Sequence, residues 1–213
     1  GVTYYWTAFG NASQIGRAGG ANDFFVGQYI GTSLDGSLVR ALPFSPDLVV
    51  TKRVANTEPA WRTSTQSGDQ AIYFTVRASN ANRFQDFTAD GFELGGSNRV
   101  NRTGSIYDFF MFAEGDRLDV NTYTGSGAAQ SITTPDFQPD LLWLKKISGG
   151  TAQEALLRSS EQTGDGALSF INLGSLTDGI TDLIRNGFSL GALDEANASG
   201  FSYQYASWNN KSY

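Results

Sequence analysis

The feature that most constrains the fold of this chain is an internal repeat. Segments of the first half recur in the second half, in the same order, at an offset of about 95 residues. The matched pairs are FSPDLVVTK (44–52) and FQPDLLWLK (137–145), SGDQAIYF (67–74) and TGDGALSF (163–170), DGFELG (90–95) and NGFSLG (186–191), and NRTG (101–104) and NASG (197–200). Ordered matches of this kind indicate duplication, so we expect two modules with the same fold.

Another segment occurs three times. The chain opens with GVTYYWTAFGN, which aligns without a gap on GFSYQYASWNN at 200–210 and more loosely on GSIYDFFMFAEG at 104–115. The second and third of these segments close the two modules, and the first stands alone. We therefore divide the chain into an orphan closing-type strand with its linker (1–21), repeat 1 (22–115) and repeat 2 (116–213).

Alternation of apolar and polar residues between turn signals dominates the chain. No stretch of a dozen residues has a helical stripe, and 25 glycines suit short strands joined by tight turns. The prediction is an all-β fold: two tandem antiparallel β-sandwich (jelly-roll-like) modules plus an orphan N-terminal strand. One larger jelly roll built from both halves is the alternative. Short helical turns are expected at 80–86 and 176–184.

The closing segments have one aromatic face. Alternation places Tyr4 and Trp6 on one side of the first segment, and the aromatic residues of the other two segments at the matching positions. Rings on this side should be buried. The position on the opposite side is occupied by Tyr5, Asp108 and Gln204, which suggests a solvated face.

The orphan strand needs a partner, because unpaired backbone groups and exposed rings are costly. It could close its own chain, belong to a preceding repeat, or insert into a neighbouring molecule by strand addition. In the last case Tyr4, Tyr5, Trp6 and Phe9 would be the assembly residues.

Charge and composition exclude several classes of function. A net charge of −6 argues against nucleic-acid binding, and no apolar run is long enough for membrane insertion. The chain has no histidine and no cysteine, which removes Ser-His-Asp and thiolate chemistry, disulfides and thiolate metal sites. Asp47 and Asp140 are matched carboxylates, but each follows a proline and is typical of a turn. We expect no enzymatic activity and no cofactor, Ca²⁺ apart.

Two aspartates are the candidate metal ligands. Asp69 and Asp165 lie in the matched SGD and TGD turns, where carboxylate and carbonyl oxygens could hold Ca²⁺. The DxDxDG spacing of a dedicated calcium loop is absent, so hydrogen-bonded turn aspartates are the alternative.

Aromatic residues outside the core would be the place for a glycan. Trp61, Tyr73 and Trp143 are the candidates, although Trp143 could simply fill the core within LLWL. The Asn-x-Ser/Thr sites would be glycan acceptors in a suitable host, or turn residues. They are Asn11, Asn101, Asn197 and Asn210.

Several segments of the chain together carry a resemblance: the FSPDLVVTKR and FQPDLLWLKK blocks, TSTQSGDQAIYF, DGFELG and the YYW-type strand. They resemble a module found in tandem in bacteriophage tail and other virion proteins and in large bacterial surface proteins. The resemblance covers nearly the whole chain. It implies a β-sandwich module of a virion or cell surface with a structural or adhesive role, and it transfers no catalytic residue. Repeat 2 reads ALLRSSEQTGD against AWRTSTQSGD, so Trp61 has no aromatic counterpart there.

Two functions are therefore expected. The first is a structural subunit of a fibre, tail or capsid surface, whose partners are copies of itself or other subunits. The second is an adhesive module that binds a host-surface glycan or receptor. Both place the protein in a virion or at a cell surface.

Overall fold

The computed structural model describes residues 23–55, 57–76, 78–149, 151–171 and 174–210. Their regular secondary structure is almost entirely antiparallel strand, with two short helices, which confirms the all-β prediction. The predicted orphan strand, with Tyr4, Tyr5, Trp6 and Phe9, lies outside the described residues.

Each repeat is a run of short strands that ends in a helical turn and a long closing strand. The elements of repeat 1 are β1 (Phe24–Ile30), β2 (Ser37–Val39), β3 (Leu48–Arg53), β4 (Ala60–Thr63), β5 (Ile72–Tyr73), β6 (Phe84–Thr88), β7 (Gly91–Leu94), α1 (Asn98–Asn101) and β8 (Ile106–Phe112). The elements of repeat 2 are β9 (Leu118–Thr124), β10 (Gln130–Ile132), β11 (Leu141–Lys146), β12 (Leu156–Ser159), β13 (Gly166–Ser169), β14 (Ser175–Thr177), β15 (Ile180–Ile184), β16 (Gly187–Leu190), α2 (Asp194–Asn197) and β17 (Ser202–Trp208).

The two repeats have the same sheet topology. In repeat 1 the large sheet has the order β1-β8-β3-β4-β5 and the small sheet β2-β7-β6. In repeat 2 the orders are β9-β17-β11-β12-β13-β14 and β10-β16-β15, so β14 is the only addition among the described strands. Because each repeat builds its own pair of sheets, the chain forms two sandwiches rather than one jelly roll. The boundary predicted at 115/116 lies between β8 and β9.

Within each repeat the small sheet covers the inner face of the large one. The alternation in DGFELG and NGFSLG predicts inward-facing rings, and Phe92 and Phe188 are fully buried. Phe92 packs edge-on against Phe109 of β8, with 5.3 Å between ring centroids, and Phe188 packs against Tyr205 of β17 at 5.1 Å. Equivalent positions therefore build the two inner cores.

A third core joins the repeats through the outer faces of their large sheets. It contains Leu48, Val50, Trp61, Ile72 and Phe112 of repeat 1 and Leu118, Val120, Leu141, Ala206 and Trp208 of repeat 2. The sheets therefore stack in the order small, large, large, small. The sequence predicts that the position shared by Tyr5, Asp108 and Gln204 faces solvent. This prediction is wrong for Gln204, which is fully buried because repeat 1 covers it.

The two predicted helical turns are also wrong. Residues 80–86 lead into β6, and residues 176–184 belong to β14 and β15. Asn82 and Asp178 have φ values of 57° and 59°, which interrupt a right-handed helix and instead turn the chain between strands.

Candidate assembly surface

Two of the three aromatic candidates for glycan binding are fully buried. Trp61 in β4 stacks on Phe74, with 5.8 Å between ring centroids, and the hydroxyl of Tyr73 in β5 accepts a hydrogen bond from Nε of Arg83 at 2.8 Å. Sugar stacking requires an exposed ring face. Burial therefore removes Trp61 and Tyr73 as stacking platforms.

Trp143 lies half-buried in the core between the repeats. Its ring meets Phe74 of repeat 1 edge-on at 5.2 Å and Trp208 of its own repeat at 4.6 Å. The residue thus fills the core, as the alternative interpretation of LLWL predicts.

The turns that carry Asp69 and Asp165 are held by buried arginines. Arg62 donates to the carbonyl oxygens of Gln66, Gly68, Gln70 and Phe84, and Arg158 donates to those of Gly164, Gly166 and Ile180. Burial lowers the pKa of Arg62, and the negative charges of Asp86 and Asp69 oppose this shift. A calcium ion would compete with a guanidinium for the same carbonyls. The described residues contain no cluster of three acidic groups able to hold a metal.

The two internal Asn-x-Ser/Thr sites are turn anchors. Nδ2 of Asn101 donates to the carbonyls of Leu34 at 2.8 Å and Gly95 at 3.0 Å, and Oδ1 accepts from the backbone N–H of Thr32 at 2.7 Å. Asn197 makes the equivalent bonds to Ala128, Gly191 and Ser126. Both side chains are buried, so a glycan on either nitrogen would require these bonds to break. Asn11 lies outside the described residues, and Asn210 is exposed.

A polar depression of about 250 Å³ lies beside the first FSPDL block and includes Asp47, Arg62 and Asp86 in its lining. Its groups already have structural partners. Oδ2 of Asp47 accepts from the backbone N–H of Glu114 at 2.8 Å, and Oδ2 of the equivalent Asp140 accepts from that of Asn210 at 2.7 Å. The matched aspartates therefore fix the segment that follows each closing strand.

Part of the outer face of repeat 1's large sheet carries an apolar surface that none of the described residues covers. Two apolar rows run across β1, β8 and β3, because residues directly opposite in antiparallel strands share a face. Their exposed members, with exposed fractions, are Val26 (52%), Phe110 (42%), Ile30 (66%), Ile106 (46%) and Val54 (60%). A polar row lies between them, in which Nε2 of Gln28 donates to Oδ1 of Asp108 at 2.7 Å and Lys52 lies opposite Asp108. We call this surface the open face.

The corresponding surface of repeat 2 is buried, both at its apolar positions and at its polar ones. Val120 and Ala206 occupy the positions of Val26 and Phe110 and are fully buried. Gln204 and Lys145 occupy the positions of Asp108 and Lys52 and are also buried. We call this surface the covered face; repeat 1 is what covers it.

Three contacts show how the covering is made. Nε2 of Gln204 donates to Oγ1 of Thr65 at 3.0 Å, and Nζ of Lys145 donates to the carbonyl of Thr75 at 2.5 Å. The backbone N–H of Ala155 donates to the carbonyl of Phe74 at 2.9 Å. Thr65, Phe74 and Thr75 all lie beside β4 and β5, so this end of repeat 1 forms part of the covering surface. Leu48, Val50 and Phe112 of β3 and β8 also contribute to the shared core.

β1 is an edge strand next to the open face. Among the described residues its only strand neighbour is β8, and its seven residues, FFVGQYI, pair with β8 without a bulge. The strand contains no charge and no proline. A long, regular, apolar edge is a template for pairing with another strand. The equivalent β9 carries Asp119.

Comparison with known proteins adds little about function. A protein-family profile described as a domain of unknown function (DUF7483) matches residues 113–212, which is almost the whole of repeat 2. No curated protein and no solved structure matches the chain. None of the helices in the described ranges is long and apolar enough to cross a membrane.

Sequence reasoning missed the open face. Val26, Ile30 and Ile106 follow the same alternation as covered residues, so the pattern alone does not separate the two. The one available signal was the difference between the repeats at equivalent outer positions, with Asp108 against Gln204 and Phe110 against Ala206.

Proposed function

We propose that the protein is a non-enzymatic structural subunit of a virion or extracellular surface assembly, such as a fibre, tail or capsid-surface component. The supporting observation is the open face beside the uncharged edge of β1. Exposed apolar rows of this kind are typical of a surface that makes protein–protein contact. The resemblance to tandem modules of virion and surface proteins supports the setting.

The same proposal gives a role to residues 1–10. They resemble β8 and β17, which pair on both sides within their sheets. A strand of this type gains main-chain hydrogen bonds when it is added to an open sheet edge. The edge of β1 is suited to receive it, so residues 1–10 would link neighbouring subunits by strand addition.

The test compares the intact chain with a chain lacking Gly1–Gly10. Size-exclusion chromatography with light scattering and negative-stain microscopy should show large oligomers or filaments for the intact chain and small species for the truncated one. If both run as monomers and the truncated chain only melts earlier, residues 1–10 close their own chain and strand addition is rejected.

A further inference from the structure

The contact between the repeats brings equivalent residues of the two large sheets together. The rings of Phe112 and Trp208, which occupy the same position in the two closing strands, meet edge-on with 5.8 Å between their centroids. The equivalent rings of Phe74 and Phe170 meet with 4.5 Å between their centroids. The outer face of one large sheet is thus a surface on which the outer face of another large sheet packs.

The open face continues from this contact along the same strands. The row of β1, β8 and β3 nearest to repeat 2 packs in the core between the repeats. In the next apolar row only Val50 of β3 is buried, whereas Phe110 and Val26 are exposed. Coverage by repeat 2 therefore ends partway across the sheet, and the uncovered part is centred on β1 and β8.

The exposed apolar row farthest from repeat 2 has a counterpart of different chemistry. Ile30 and Ile106 of repeat 1 correspond to Thr124 and Ser202, which pair at the same position of β9 and β17. Thr124 is exposed and Ser202 is partly buried. Repeat 2 therefore carries hydroxyls where this position meets water, whereas repeat 1 carries β-branched apolar side chains. Side chains of the second kind suit a sheet surface that another body covers.

The polar row of the open face carries no net charge. It contains one acid, Asp108, one base, Lys52, and the amide of Gln28. The whole chain has a net charge of −6, which disfavours contact between two copies through acidic surfaces. A contact through the open face avoids this cost, so the face fits a second copy of itself.

We propose that the open face binds the open face of a second copy of this chain, in a two-fold contact centred between β1 and β8. With the strands of the two sheets nearly aligned, as in sheet-on-sheet packing, Ile106 of one copy faces Ile30 of the other, and Asp108 faces Gln28. The contact uses the faces of the sheets and leaves the edge of β1 free to receive residues 1–10. This inference rests on the structural role proposed above and adds a second contact to it.

The size of the open face determines how strong this contact is. Strands of seven residues, three of them side by side, give at most roughly 350 Å² on each copy and roughly 700 Å² in total. Stable protein pairs bury about 1,200 Å² or more. Isolated chains should therefore associate weakly, and the contact becomes strong when residues 1–10 link several subunits and many open faces act together. Its role is to join strand-linked chains side by side.

The experiment is disulfide cross-linking between single-cysteine variants of the intact chain, which has no cysteine of its own. Chains with Ile30→Cys are mixed with chains with Ile106→Cys under mild oxidation. In the control mixture Leu38→Cys, at an exposed position of the small sheet, replaces Ile30→Cys. After correction for the reactivity of each thiol towards a small soluble disulfide, heterodimers should form about tenfold or more faster in the first mixture. Equal rates in the two mixtures would overturn the inference.

Two substitutions at one exposed polar position test the arrangement without changing the apolar area. Gln28→Lys places a positive charge opposite Asp108 of the second copy and should speed cross-linking, whereas Gln28→Glu brings carboxylates together and should slow it. The two rates should differ about threefold to tenfold. Thr122→Lys and Thr122→Glu, at the equivalent exposed position of repeat 2, change the net charge equally and should leave the rate unchanged. The same difference at both positions would contradict a contact centred between β1 and β8.

Deletion of Gly1–Gly10 separates this inference from strand addition. Cross-linking of Ile30→Cys with Ile106→Cys should persist in the shortened chain even if large oligomers are lost. Loss of these cross-links on deletion rejects the inference, because the contact then depends on residues 1–10. Cross-linking that appears only after deletion also rejects it, because the face is then covered by its own chain. Large oligomers without specific cross-links in either form would support strand addition alone.

Discussion

The inner and outer faces of the two large sheets differ in how closely the repeats agree. On the inner face, Tyr29 stacks on Tyr107 with 4.9 Å between ring centroids, and Tyr123 stacks on Tyr203 at 5.0 Å. On the outer face, aromatic Phe110 is replaced by Ala206. The inner face meets an equivalent small sheet in each repeat. The outer face of repeat 2 is covered by repeat 1, whereas that of repeat 1 is partly exposed.

This difference shows which positions the fold requires. The hydroxyls of Tyr107 and Tyr203 each bind the loop after the helical turn, accepting from the backbone N–H of Arg102 and of Ala198. Such groups are needed in any copy of the module. Residues at outer positions need only be compatible with whatever covers them, so their identity differs between the repeats according to what lies next to each one.

The largest expected effect comes from placing the same charge on both outer faces. Ala206→Asp buries a carboxylate between the repeats and should lower the free energy of unfolding by about 3–5 kcal/mol. Phe110→Asp, at the equivalent exposed position, should cost no more than about 1 kcal/mol. Urea denaturation of the two variants measures the contrast, and equal losses would contradict the assignment of covered and open faces.

A second pair tests the similarity of the inner structure. Arg62→Met and Arg158→Met each leave buried carbonyl oxygens without donors, so each should cost about 2–4 kcal/mol. The two losses in thermal or urea unfolding should agree within about 1 kcal/mol. A loss in only one repeat would show that the matched turns are not energetically equivalent.

Much of the fold could be predicted from sequence because it depends on local patterns. The duplicated turns are an example: Gly91 and Gly187 have φ values of 157° and 136°, and a Cβ on either would approach a neighbouring carbonyl oxygen to 1.9 Å. The Asp-Gly and Asn-Gly pairs indicate these turns directly. The prediction that Phe92 and Phe188 face a core is confirmed for the same reason.

The stacking of one sandwich on the other could not be predicted. It depends on contacts between residues far apart in sequence, such as Thr65 with Gln204, and alternation does not reveal whether a second face is also buried. Trp61 shows the consequence: it was a candidate for glycan stacking, yet it is buried between the sheets. Residues 1–10 remain a prediction.

The third prediction concerns two equivalent lysines. Burial lowers the pKa of Lys145 from 10.5 to about 8, an effect that the charges of Glu154 and Glu58 oppose. Between these values the unfolded chain binds more protons than the folded one, so stability rises with pH through this interval and falls as pH drops through 8. Lys145→Met should remove this rise, and Lys52→Met, at an exposed position, should retain it.

The measurement is the free energy of unfolding at pH values from about 8 to 9.5, where the expected rise is about 1 kcal/mol after allowance for solvent screening. Higher pH is avoided because burial raises the pKa of several tyrosines, including Tyr203 to about 12, and their ionisation in the unfolded chain lowers stability. The same slope in both lysine variants would show that Lys145 is solvated.

The smallest effect tests a single hydrogen bond across the repeats. Thr65→Val removes the acceptor for Nε2 of Gln204, which retains the carbonyl of Asn121 at 2.8 Å. The expected loss is about 0.5–1.5 kcal/mol in urea denaturation. Glu161→Val, at the equivalent exposed position of repeat 2, should change stability by no more than about 0.5 kcal/mol.

A double variant separates the bond from the packing around it. When both Thr65 and Gln204 are replaced by apolar residues, as in Thr65→Val with Gln204→Leu, neither side chain leaves the other as a buried polar group without its partner. The double variant should therefore be more stable than the sum of the two single losses implies. Strict additivity would mean that the two side chains do not interact, and that this hydrogen bond does not help to hold the covered face.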